Sequence, residues 1–235
     1  MTEREKIFGR IREALINKAP RPGAHDLNAS APAIAAATAP QRPAPGTARR
    51  WLPPTGQTFE EQVERFRAAS AELKTNFVLL AAASELRAVL LELRAAENWQ
   101  RVATHRAELT LAAAEILDLP TLFTDEGYDV AEMERCDVAI TGCDVLIAQT
   151  GSVLVTNRSA GGRALSVLPA HHVVLARRQQ LVPDLTAGLA WVQNMYRTNY
   201  PSMISIISGP SRTGDIERIL VLGAHGPKKL TVVCV

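Results

Sequence analysis

Cysteine is scarce in this sequence. There are three, Cys136, Cys143 and Cys234, with no Cys-x-x-Cys spacing among them. An odd, scattered set excludes a disulfide framework and points to a reducing compartment, so a cytoplasmic protein with buried free thiols is expected. It also excludes an iron–sulfur cluster held by this chain alone, which would need a full set of thiolates. Net charge is nearly absent, +2 at neutral pH, which argues against a dedicated nucleic-acid binder. No apolar run approaches the roughly 18 residues needed to span a bilayer. The opening "MTEREKIFGRIREALINK" has charge throughout rather than a basic start and an apolar centre, so export is not expected. Gly-x-Gly-x-x-Gly, a Gly-Lys-Ser/Thr phosphate loop and Gly-x-Ser-x-Gly are all missing, which disfavours standard dinucleotide, P-loop and α/β-hydrolase chemistry.

What is present is a large apolar fraction, 47% against 21% charged, enough for a sizeable core. Residues 1–18 place Ile7, Ile11 and Leu15 on one helical face. Residues 19–56 are rich in Ala and Pro and read as an extended linker. A helix that short needs a surface to dock on, whether the body, another subunit or a partner. Regular patterning starts at residue 57. "TFEEQVERFRAASAELK" offers Thr58 as N-cap with Glu61 completing a capping box. Strand-like "NFVLLA", "WQRVATH" and "TLFT" alternate with helical "SELRAVLLELRAAE" and "AELTLAAAEILDL", the signature of βαβ units and a mostly parallel sheet. Val145–Ala148 and Val153–Thr156 flank Thr150-Gly151-Ser152 and predict an antiparallel hairpin. "HHVVLA" predicts a buried strand, and "VPDLTAGLAWVQNMYRTN" a helix opened by Pro183 and Asp184. A strand over 203–207, a helix from about Gly214 to Leu222 and a strand over 230–235 complete the domain.

Four stretches carry candidate chemistry. In "SGPSRTGDIERIL" a strand-to-helix loop offers Ser208, Gly209, Ser211, Arg212, Thr213 and Asp215. A helix start exposes amides to an anion, Arg212 can grip a carboxylate or phosphate, and the carboxyl edge of a parallel sheet is where ligands usually bind. The plainer reading is that Thr213 or Asp215 only caps the helix while Arg212 sits in solvent. In "GAHGPKKL", His225 and Lys228 could face a ligand or supply a proton, although loop histidines often just hydrogen-bond a turn. Thr150, Gly151 and Ser152 can offer hydroxyl and amide donors, with Asn157 and Arg163 following in a glycine-bearing loop. Adjacent His171 and His172 point to opposite faces of a strand, so they do not bind one metal together, and no metal site is expected. Candidate acid–base groups are His225, His171 and Asp215.

Together "VAITGCDVLIAQTGSVLV", "LSVLPAHHVVLARRQQLVPDL" and "ISIISGPSRTGDIERILVLGAHGPKKLTVVCV" resemble the lactate-utilisation protein C family, or LUD domain, over roughly residues 57–235. "REKIFGRIREAL" also resembles that family's leading helix. The resemblance implies an α/β fold like ribose-5-phosphate isomerase, glucosamine-6-phosphate deaminase and the CoA transferases. That is a three-layer sandwich with a central mostly parallel sheet, here with the antiparallel hairpin and an N-terminal helix on a long linker. It implies a non-cluster subunit of a system oxidising L-lactate to pyruvate beside iron–sulfur partner proteins, with a small anionic ligand at the carboxyl strand edges. No cofactor is expected on this chain itself, and a homo-oligomer is compatible with the pattern. Two other classes stay open: a free-standing enzyme acting on a sugar phosphate, folate or acyl-CoA, and a protein-binding scaffold that uses its tethered helix.

Overall fold

A computed structural model describes residues 53–213, 221–222 and 226–235. The expected leading helix and nearly all of the linker lie outside them.

Helix α1 (Phe59–Glu72) begins at the capping box: Thr58 accepts from the Glu61 amide, and the Glu61 carboxylate accepts from Gln57 N and Thr58 N at 2.6 and 3.1 Å. Its Phe66, fully buried, meets Phe77 edge-on at 4.7 Å. The chain leaves α1 through Lys74, which holds a left-handed backbone at φ 61°, and enters β1 (Asn76–Leu79). Then follow α2 (Leu86–Glu97), β2 (Val102–Thr104), α3 (Glu108–Leu117), β3 (Thr121–Phe123), α4 (Val130–Glu134) and β4 (Val138–Thr141). The expected hairpin is β5 (Val145–Ile147) against β6 (Ser152–Thr156), with Leu146 opposite Val153. After β7 (His171–Ala176), β8 (Leu181–Val182) leads to α5 (Leu185–Tyr196), whose N-cap Asp184 accepts from the Ala187 amide. Strands β9 (Ile204–Ile207), β10 (Arg212–Thr213), β11 (Val221–Leu222) and β12 (Lys229–Cys234) complete the described chain.

Six strands form a wholly parallel sheet in the order β1-β12-β7-β4-β2-β3. Its central strands are buried end to end, as both faces are covered. Alternation divides them: Val173, Leu175 and Val233 pack with Leu86, Leu90, Ala113 and Leu117 of α2 and α3. Val174, Ala176, Val232 and Cys234 face Leu146, Val153, Val155 and Phe66. The hairpin grows into a second sheet, β8-β5-β6-β9, mixed in direction. Val192 of α5 packs on its outer face against Val145, Ile147 and Leu154. The layers are therefore helices, parallel sheet, mixed sheet and a further helix. Each Val, Leu or Ile fully buried between them contributes roughly 1.5–3 kcal/mol.

One expected element is reassigned. Val221–Leu222, placed by sequence at the end of a helix, pair antiparallel with Arg212–Thr213. Residues 214–220 and 223–225, with the candidate residues Asp215 and His225, lie outside the described residues.

Candidate functional site

The loop after β9 does not open where the sequence reading placed it. β9 belongs to the mixed sheet and runs antiparallel to β6, so its carboxyl end emerges beside the amino ends of β1, β12 and β7. Gly209 (φ 92°) lies against the Leu73 carbonyl, Arg212 Nη2 donates to that same carbonyl, and the Ser211 amide donates to Pro227 O at 2.9 Å. The loop straps the end of α1 to the approach to β12. The expectation of a carboxyl-edge site built from this loop is thus corrected by strand direction.

Thr150, Gly151 and Ser152 do meet this loop. Ser152 is 1% exposed. Its Oγ donates to Thr150 Oγ1 at 2.8 Å and shares a 2.7 Å hydrogen bond with Ser208 Oγ. Gly151 is required twice over: φ is +61°, and a Cβ there would come within 2.8 Å of Ser70 N. These hydroxyls have partners within the protein and form a link between the sheet's hairpin and β9.

Asn157 and Arg163 lie at the opposite end of β6. Asn157 Oδ1 accepts from the Met203 amide at 3.3 Å, and Arg163 Nη2 donates to Ser202 O at 3.2 Å. They are part of the 157–163 loop, which packs over the carboxyl ends of β2 and β4. Gly161 (φ 61°) sits so close to His105 that a Cβ would be 2.2 Å from the histidine's own Cβ. The chain leaves β2 toward α3 on one face and β4 toward the mixed sheet on the other, so this is a topological switch point. The groups there are tied to one another. Buried Asp144 accepts from Tyr196 Oη and from Ser159 Oγ, each at 2.5 Å, and Tyr196 Oη lies 3.1 Å from Thr156 Oγ1. Burial first, then its bond to Asp144, pushes the Tyr196 phenol up to about 12. His105 accepts from the Gly142 amide at 3.4 Å, and burial pushes its pKa down. None of these groups stood out in the sequence, because their meeting depends on packing across the switch point.

The histidine pair divides as strand alternation requires. His172 is 1% exposed and its Nε2 meets Thr141 Oγ1 at 2.8 Å. His171 turns to the other face, edge-on to Trp99 at 5.3 Å, with Nε2 2.9 Å from Thr231 Oγ1. Burial lowers the pKa of His171 to about 4 and that of His172 to about 3, so both rings are neutral at physiological pH.

His171 and Thr231 belong to the wall of a cavity of about 340 Å³ at the amino edge of the parallel sheet, between the end of α2 and the starts of β1, β12 and β7. Lys74, Asn76, Glu97, Pro210, Lys228 and Lys229 also line it. Lys229 pairs with Glu97 at 2.5 Å. A larger, more open hollow of about 570 Å³ beside α1 is lined by Glu61 and Glu64 as well as Arg65, and Glu61 is already engaged in the helix cap. Cys136, Cys143 and Cys234 are free and buried, and burial pushes all three thiols up. Among the described residues no group of three His, Cys, Asp or Glu side chains converges as a metal site. No helix among them is long and apolar enough to cross a membrane.

The chain is 39% identical over 106 residues to lactate utilization protein C of Deinococcus radiodurans, covering 45% of this chain and 49% of that protein. It is 38% identical over 112 residues to lactate utilization protein C of Macrococcus caseolyticus, covering 47% of this chain and 48% of that protein. The matched segments thus span about half the length of these relatives. A crystal structure of a DUF162 family protein from Deinococcus radiodurans superposes with a TM-score of 0.63 at 25% identity, covering 77% of this chain and 99% of that one. The LUD domain pattern itself runs from residue 63, inside α1, to the last residue of the chain at 235, taking in both sheets and both edges described above. By that match the chain belongs to the LUD domain family.

Proposed function

We propose that this chain is a cytoplasmic, non-cluster subunit of a system that oxidises L-lactate to pyruvate, working beside separate iron–sulfur proteins and binding a small anionic ligand. The observation that carries the reading is the pair of segments 39% and 38% identical to proteins named for lactate utilisation. The state of the thiols supports the division of labour. Cys136 lies in one apolar cluster and Cys143 and Cys234 in another, so the three thiols do not converge, and the reading assigns the electrons from lactate to clusters on partner proteins. The anionic ligand is supported by the lysine-lined cavity, where the loop singled out in the sequence contributes Pro210.

A strain deleted for the gene, grown on L-lactate as sole carbon source, tests the reading. Loss of growth, restored by the gene in trans, is the expected result; normal growth overturns it. Turnover of sugar phosphates, folates or acyl-CoA by the purified chain alone would favour a free-standing enzyme instead.

A further inference from the structure

The cavity at the amino edge has a charge pattern that the described residues do not balance. Its lining holds three ammonium groups, Lys74, Lys228 and Lys229, and one carboxylate, Glu97, which leaves a surplus of two positive charges. Glu97 is taken by Lys229. Neither Lys74 nor Lys228 has a carboxylate within ion-pair distance among the described residues. Both lysines are exposed at the rim, while His171 and Thr231 are 5% and 2% exposed at the floor. The floor is unfinished too: His171 Nδ1 is buried with no hydrogen-bond partner, although Nε2 is satisfied by Thr231. His172 Nδ1, on the opposite face of the strand, is buried without a partner in the same way, so it is the lysine surplus and not the open nitrogen that distinguishes the cavity.

The backbone adds a separate observation. Lys74 follows the last turn of α1 in the left-handed region, φ 61°, a position that favours glycine because a Cβ is strained there. Asn98, Asp118 and Arg197 also hold positive φ where helices end, so the angle is a helix stop that sets where the Lys74 side chain departs, onto the cavity wall.

We propose that this cavity binds a compact dianion, a dicarboxylate or a phosphate monoester, with Lys74 and Lys228 neutralising its charge above His171 at the floor. The volume of about 340 Å³ suits a small metabolite rather than a nucleotide. The proposal deepens the anion reading above and rests on it for its biological setting, but not for its test.

The test uses the purified full-length chain, titrated calorimetrically with malonate, inorganic phosphate and glycerol 3-phosphate, and with L-lactate as the monoanion control at matched ionic strength. The wild type is expected to saturate with malonate or with the phosphates, at least about tenfold more tightly than with L-lactate. Preference for malonate assigns a dicarboxylate, and preference for the phosphates assigns a phosphate monoester. Lys228→Ala should weaken binding by about tenfold or more. Lys74→Gly should do the same while raising the thermal midpoint of the unliganded protein, because glycine relieves the left-handed backbone; this variant separates lost binding from lost folding. Titrations that never saturate, no preference over L-lactate, or affinities unchanged in Lys74→Gly and Lys228→Ala overturn the proposal. A flat titration beside a growth defect on lactate removes the cavity alone. A saturating titration beside normal growth removes the lactate role alone.

Discussion

The two edges of the parallel sheet are built on opposite principles. At the carboxyl edge, over β2 and β4, Asp144 is buried and yet accepts from both Tyr196 and Ser159 at 2.5 Å, with Thr156 extending the network. At the amino edge, Lys74 and Lys228 border a cavity and have no carboxylate partner among the described residues. A polar cluster whose groups satisfy one another stiffens a fold and has nothing left to offer a ligand. One left with surplus charge has something to offer an anion, which is the basis of the dianion proposal. The usual guide for open α/β sheets points to the carboxyl edge. In this protein, charge and hydrogen-bond accounting point to the amino edge.

The largest expected effect tests the closed edge. Asp144→Ala leaves the Tyr196 and Ser159 hydroxyls without their acceptor, and should cost about 2–4 kcal/mol in urea unfolding. A loss below about 0.5 kcal/mol would show that the network is not a closed structural unit. Next is acid sensitivity. Burial depresses the pKa of His171 to about 4 and of His172 to about 3, below the roughly 6.5 of an unfolded chain. Their contribution is therefore fully present above about pH 6.5 and is lost as pH falls toward 4. Urea midpoints measured from about pH 7 down to 4.5 should decline, and His172→Gln should flatten that decline. An unchanged slope in the variant would mean that other groups govern acid unfolding. The smallest effect concerns the hydroxyl link at the amino edge: Ser208→Ala removes a 2.7 Å bond to Ser152 and should cost about 1 kcal/mol. No measurable loss would mean that the link does not hold β9 to the hairpin.

Much of the fold was legible because it rests on local rules. The capping box at Thr58 and Glu61, the hairpin about Gly151, the capping Asp184 and the opposed faces of His171 and His172 all follow from spacing within a few residues. The site was legible in parts only. Ser152 and Ser208 were singled out and do meet, but Asn157 and Arg163 fall at the far end of β6, since five strand residues separate its two ends. Lys74 passed unnoticed because it ends an ordinary helical pattern. Only its place on the cavity wall marks it. Val221–Leu222 misled because two residues carry too little periodicity to tell a helix end from a strand.

The sequence by itself determined where most of the helices and strands begin and which faces are apolar, because each depends on neighbours a turn away. The tertiary structure decided which strand ends share an edge. β9 joins the mixed sheet antiparallel to β6 instead of entering the parallel sheet, and that pairing carries Ser208–Arg212 to the amino ends of β1, β12 and β7. Strand partnership is a long-range choice, set by which apolar faces can be buried together, and it placed the uncompensated lysines around one cavity.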